Sequence, residues 1–227
     1  NWTEPAGKGV NISRALAANG IATRAVLPIG GANGEELCRL LEASGVDFTP
    51  VPVAGSIRSN LSVVEPDGAT TKLNEAGPTL TADEVDVLIE AVAEASSSGE
   101  WVAASGSLAP GMTDDFYARL GRRLAATEVK LAVDTSGPAL RAVVSSSPGL
   151  VKTNRHVLCE LVGQPLATLG EVVGAAQEVR AAGAAQVLVS LGPDGALLVD
   201  GADVTHGEVS VDRVSNTVGA GDALLAG

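Results

Sequence analysis

An α/β fold built on a doubly wound, mostly parallel sheet is what this sequence predicts, and three observations carry the prediction. From Trp101 onward, short aliphatic runs alternate with helical patterns, the βαβ order of a parallel sheet. The runs are too apolar for half-exposed strands, so helices must cover both faces. Aromatic residues make up only 2% of the chain while Ala, Val, Leu and Gly abound, which suits close helix-on-sheet packing.

The elements follow in order. Val10, Ala15 and Leu16 mark an amphipathic helix directly after Gly7-Lys8-Gly9, and Ala22–Gly30 with Gly34–Ser44 reads as a strand and a helix. Val46–Val53, Ser59–Glu65 and Ala69–Asn74 are strand-like with no helix between them. Pro66-Asp67-Gly68 is a turn signal, so Ser59–Asn74 is predicted to be a β-hairpin. Residues 46–74 are therefore expected to form a small β lid inserted in a single domain spanning 1–227. Beyond it come strands at Trp101–Ser107, Val129–Ser136, Leu150–Asn154 and Val187–Gly192. Helices at Thr113–Ala126, Pro138–Ser147 and Thr168–Ala182 separate them, and a last helix occupies Ala220–Ala226.

Composition narrows the function. Fifteen Lys and Arg against 27 Asp and Glu give a formal net charge of −12, which repels nucleic acid and anionic membrane and favours a small-molecule ligand. Cys38 and Cys159 lie far apart with no CxxC, so a metal cluster or disulfide framework is not indicated and both read as reduced core thiols. No apolar run reaches the length of a membrane span and no signal-peptide pattern opens the chain, so a cytoplasmic location is expected. Asn1-Trp2-Thr3 fits a glycosylation sequon only by chance in that setting. The start without Met and the end inside a helix mark an expected excerpt of a longer protein.

The ends of the predicted strands read Ser105-Gly106-Ser107, Asp134-Thr135-Ser136-Gly137, Lys152-Thr153-Asn154 and Ser190-Leu191-Gly192. Polar and charged residues thus collect at the carboxyl edge, where open α/β sheets bind ligands. Asn216-Thr217-Val218-Gly219-Ala220-Gly221-Asp222 places two glycines and a carboxylate at a helix start. Unpaired N–H groups there can receive developing phosphate charge, and the acid can take a proton from an attacking hydroxyl. Gly7-Lys8-Gly9 lacks the Ser or Thr and the glycine spacing of a Walker A loop. Leu224 stands where the third glycine of GxGxxG belongs, which argues against a nicotinamide-dependent oxidoreductase. A lysine at a helix N-terminus is poorly placed unless an anion sits beside it, so Lys8 points to an anion site.

Together Gly7-Lys8-Gly9-x-Asn11, Lys72-Leu73-Asn74-Glu75-x-Gly77-Pro78, Ser105-Gly106-Ser107-Leu108-x-Pro110-Gly111, Asp134-Thr135-Ser136-Gly137, Ser190-Leu191-Gly192 and the Asn216–Asp222 segment resemble the ribokinase-like (PfkB) carbohydrate kinases, in order and spacing across essentially the whole chain. Within that family the pattern is most similar to the sugar-phosphate branch, above all the 1-phosphofructokinases. The tagatose-6-phosphate kinases and minor 6-phosphofructokinases stand close behind.

The resemblance implies a ribokinase-like fold with a β lid and an ATP- and Mg²⁺-dependent transfer to a phosphorylated ketose, chiefly fructose 1-phosphate. It implies Asp222 as base, with the amides of Gly219, Ala220 and Gly221 as anion hole. It implies Gly7, Lys8, Gly9 and Asn11 on the sugar, and Arg58 and Ser107 on its phosphate. Ser190 and Gly192, with Asn216 and Thr217, belong to the nucleotide, and Asn154 to a magnesium network through water. Lids of this family often pair between subunits, so a homodimer through the lid is expected. By the same comparison the chain lacks the family's first strand and C-terminal segment. Ala6 and Thr153 replace a usual glycine and proline, and Val157 stands where the Asn-x-x-Glu magnesium motif has its glutamate. That last departure admits a rival, a catalytically weak sugar-phosphate-binding regulator.

Overall fold

The computed structural model describes residues 3–64, 70–209 and 219–227. Its main sheet has six strands in the order β10, β9, β8, β7, β6, β5, formed by Asp203–Gly207, Ala196–Asp200, Gln186–Ser190, Leu150–Asn154, Lys130–Asp134 and Trp101–Ser105. Strands β5 to β8 pair in parallel, while β9 and β10 extend the sheet antiparallel. In β6 four consecutive residues, Leu131 to Asp134, are buried. Such continuous burial is what a parallel strand covered on both faces requires.

A separate two-stranded parallel sheet joins β1 (Ala25–Ile29) to β2 (Phe48–Pro52), and β3 (Asn60–Val64) pairs antiparallel with β4 (Thr70–Asn74). The strand expected from Val46 to Val53 is therefore no part of the hairpin. It is the parallel partner of β1, reached through the crossover helix α2 (Gly31–Ala43). Pro50 and Pro52 lack the N–H that a second neighbour would need, which fits β2 to an edge. Within the expected lid, β3 and β4 form a two-stranded sheet of their own, and their turn at Pro66-Asp67-Gly68 lies outside the described residues.

Helices α3 (Ala82–Ala95), α4 (Phe116–Leu124), α5 (Gly137–Val144), α6 (Arg155–Val162) and α7 (Leu169–Ala181) pack each against the next. Helix α3 also covers β1 and β2. Helix α1 (Lys8–Ala18) packs on α8 (Ala220–Ala226) and reaches both β1 and β5. Capping boxes start α3 and α7: Thr81 with Glu84, and Thr168 with Glu171. In each the hydroxyl accepts from the third helical N–H while the carboxylate reaches back, holding both glutamates below the usual carboxylate range. The core runs through Val133, Leu140, Val143, Val151, Leu158, Val172, Val187 and Val199, all fully buried. Cys38 and Cys159 are free thiols, each partly buried, and Cys159 packs against the core. Among the described residues no helix is long and apolar enough to cross a membrane.

Candidate active site

Parallel strands β5 to β8 deliver Ser105, Asp134, Asn154 and Ser190 to one edge, with Ser105 in register opposite Asp134 and Asn154 opposite Ser190. Above that edge meet the starts of α1 and α8. Gly219 forms the N-cap of α8 in the left-handed region at φ 76°, a turn that a side chain would strain. The turn brings Asp222 into the interior at 6% exposure, where its Oδ2 accepts from Asn11 Nδ2 at 2.8 Å. Residues far apart in sequence are thereby locked as a pair.

Lys8, the first residue of α1, donates from Nζ to Asp134 Oδ2 at 3.0 Å, and Lys152 Nζ reaches the same oxygen at 3.1 Å. Asp134 and Lys152 are nearly inaccessible, whereas the Lys8 side chain is 45% exposed. The anion demanded by a lysine at a helix N-terminus is thus, in this structure, a carboxylate of the protein itself. Two cations share one carboxylate, so the cluster keeps one net positive charge facing the crevice. A Cβ on Gly221 would lie 2.6 Å from Lys152 Nζ, so glycine is what lets the buried ammonium abut the first turn of α8. Buried charges persist when paired and hydrogen-bonded, as these are.

Other predicted residues surround this cluster. Gly7 caps α1 and Gly9 lies in its first turn, while Arg14 Nη1 holds the loop from behind through Pro5 O at 3.2 Å. Ser107 is exposed just past β5, next to Gly106, whose N–H donates to Asp134 O at 2.9 Å. Arg58 sits apart at the foot of the β3–β4 hairpin, its stem against Gly77. Its position is set by Ile57, whose N–H donates to Gly30 O at 3.0 Å and whose carbonyl accepts from Asn33 Nδ2 at 2.9 Å. On the far side, Ser190 Oγ donates to Thr153 O at 3.3 Å, and Gly192 opens a 3₁₀ turn, Gly192–Asp194, tied to Arg155. Asn154 is the N-cap of α6, its Oδ1 accepting from Val157 N–H at 2.9 Å. Asn216 and Thr217 lie outside the described residues.

The residues 1–227 match the pfkB family of carbohydrate kinases from end to end. The chain belongs to that family. Its relatives include the ATP-dependent 6-phosphofructokinase isozyme 2 of Mycobacterium tuberculosis, 37% identical over 98% of this chain and 66% of that protein. The 1-phosphofructokinase of Haloferax volcanii is 37% identical over 97% of this chain and 70% of its own length. Among solved structures, phosphofructokinase-2 from Escherichia coli in complex with potassium superposes with a TM-score of 0.92 at 37% identity, covering 98% of this chain and 73% of that one. The chain thus spans just under two thirds, 66%, of the mycobacterial relative's length. For a pfkB-family chain, the buried Asp134–Lys152 pair is the part of the site that motif reading left without a role. Asp134 ends β6 and Lys152 lies two residues before the end of β7, and their partnership appears only when β6 and β7 are laid side by side.

Proposed function

We propose that this protein is an ATP-dependent kinase that transfers the γ-phosphoryl group to a free hydroxyl of a fructose monophosphate, with fructose 1-phosphate to fructose 1,6-bisphosphate as the leading reaction. The observation that carries the proposal is the Asn11–Asp222 pair set at the head of the Gly219–Gly221 turn, with the Lys8–Asp134–Lys152 cluster beside it. A carboxylate oriented by an amide donor is suited to take the proton of the attacking hydroxyl. The N–H groups of Gly219, Ala220 and Gly221, backed by the Lys152 charge, suit the oxygens of the transferred phosphoryl group. Gly7, Lys8, Gly9 and Asn11 hold the sugar, and Arg58 and Ser107 its phosphate, for which the arginine fork is well shaped. Ser190, Gly192, Asn216 and Thr217 serve the nucleotide.

The described residues of this site suit magnesium as a nucleotide-borne ion. Among the described residues no cluster of three His, Cys, Asp or Glu side chains gathers, Asn154 Oδ1 already caps α6, and Val157 is apolar. Mg²⁺ that keeps several waters and binds phosphate oxygens needs no more than the second lone pair of Asn154 Oδ1, through water. When bound it supplies charge neutralisation on the transferred group.

A second reading, fructose 6-phosphate as acceptor, is favoured by the 6-phosphofructokinase isozyme 2 relatives at 37% identity. The exposed Leu61, Val63 and Leu73 on the hairpin, at 57%, 45% and 55%, support a homodimer in which a second copy covers them. The test is product formation from ATP with fructose 1-phosphate, fructose 6-phosphate, tagatose 6-phosphate and free fructose. A kcat/KM for either fructose phosphate at least a hundredfold above free fructose is expected. Equal values would overturn the sugar-phosphate assignment, and binding without product would favour the regulator.

A further inference from the structure

One carbonyl beside the site is held by two buried hydroxyls. Gly106 O accepts from Tyr117 OH at 2.8 Å and from Thr135 Oγ1 at 2.9 Å, so both its lone pairs are filled by buried hydroxyls. Tyr117 is 4% and Thr135 6% exposed, and the Tyr117 ring is fixed edge-on against Phe116 at 5.2 Å between centroids. The N–H of the same residue donates to Asp134 O, and its φ of 122° is one that glycine adopts at low cost. Both ends of Gly106 are therefore tied to β6 and α4.

The consequence falls on the next residue. The Gly106 carbonyl and the Ser107 N–H belong to one planar trans peptide and point in opposite directions. With the carbonyl pinned toward Tyr117 and Thr135, the Ser107 N–H is aimed away from them, and among the described residues no backbone acceptor takes it. Ser107 itself is exposed at the ligand edge. We propose that Tyr117 and Thr135 are positioning residues for the phosphorylated ketose: their hydroxyls fix the Gly106–Ser107 peptide so that Ser107 presents its N–H, together with its hydroxyl, to the sugar's phosphate. This inference rests on the assignment of Ser107 to that phosphate. Neither hydroxyl touches the ligand, and each acts through the peptide it holds.

Tyr117→Phe and Thr135→Val each delete one hydroxyl and keep the side-chain shape. Calorimetric titration of each variant with fructose 1-phosphate, fructose 6-phosphate and, separately, ATP reads the effect without turnover. The Kd for the preferred sugar phosphate is expected to rise roughly three- to tenfold in each single variant, the scale of one net hydrogen bond, and further in the double. The Kd for ATP should stay within about twofold, and Thr135→Ser, which restores a hydroxyl, should return the sugar-phosphate value to that of the parent. A purely structural role would lower the melting temperature without separating the two ligands. An unchanged sugar-phosphate Kd in the double variant overturns the inference, as does a parallel loss of both ligands. Should Tyr117→Phe fail to fold, the Thr135→Val and Thr135→Ser pair decides alone. Parent protein that binds sugar phosphate yet makes no product sinks the kinase reading and leaves this measurement standing.

Discussion

Asp222→Asn separates proton abstraction from everything else the carboxylate does. The parent side chain is buried and accepts one hydrogen bond, from Asn11 Nδ2 at 2.8 Å. An asparagine of the same shape can turn its oxygen toward Asn11 and keep that bond, so the α1–α8 contact survives at a cost within about 1 kcal/mol. What disappears is the base. A positioned base contributes about 10²- to 10⁴-fold, which corresponds to about 2.7–5.4 kcal/mol of transition-state stabilisation. Removing a negative charge beside the anion turn should leave ATP binding unchanged or slightly tighter, and sugar-phosphate binding nearly intact. The expected pattern is therefore a collapse of kcat with both KM values within about threefold of the parent. Steady-state kinetics with fructose 1-phosphate and ATP, paired with thermal denaturation, reads it directly. A folded Asp222→Asn variant that keeps kcat within about threefold of the parent would refute the reasoning, because among the described residues Asp222 is the carboxylate of that turn.

Lys8→Ala and Arg58→Ala should each raise KM for the phosphorylated ketose roughly ten- to a hundredfold while leaving KM for ATP near the parent value, as the loss of one charge-assisted contact predicts; equal effects on both substrates would contradict the assignment. Val157→Glu should tighten the apparent dependence on free Mg²⁺, checked by metal titration. Because Val157 packs against the core, it should also cost about 1–2 kcal/mol of stability, partly offset by a carboxylate in the first turn of α6. The β3–β4 hairpin should gain amide protection when fructose 1-phosphate binds, since a lone hairpin is marginal in water; replacing the exposed Leu61 and Leu73 by Ser should leave a monomer on sizing, and a dimer that survives places the contact elsewhere. Burial pushes the Tyr117 phenol up to about 12, with the Thr135 hydrogen bond opposing and the Asp134 charge adding. The folded chain therefore keeps a proton that the unfolded chain loses near pH 10, and stability intact below about pH 10 should fall by up to roughly 2–3 kcal/mol as pH nears 12. As the sole tyrosine, Tyr117 makes its phenolate absorbance a direct monitor, and titration near pH 10 in the folded protein would contradict its burial.

The legible part of this molecule is the part whose cause is local. Leu150–Asn154 is legible because Leu150 and Val151 lead into the polar Lys152-Thr153-Asn154, and α7 carries a local start signal in Thr168 and Glu171. The same box at Thr81 and Glu84 starts α3, so that helix too carries a local signal. Strand β2 is different: Val46–Val53 is legible as strand-like, but its parallel pairing with β1 across a helical crossover, which makes Pro50 and Pro52 edge residues, is not. The site divides the same way. Gly219, Gly221 and Asp222 form a short motif whose glycines state their own reason, a left-handed turn and a close approach. Asp134 meets Lys152, 18 positions away, across neighbouring parallel strands and Lys8, 126 positions away, at the start of α1, and no local pattern encodes either meeting. What a motif cannot carry is the partner that fixes its charge, and in this protein that partner is one buried carboxylate oxygen shared by two lysines.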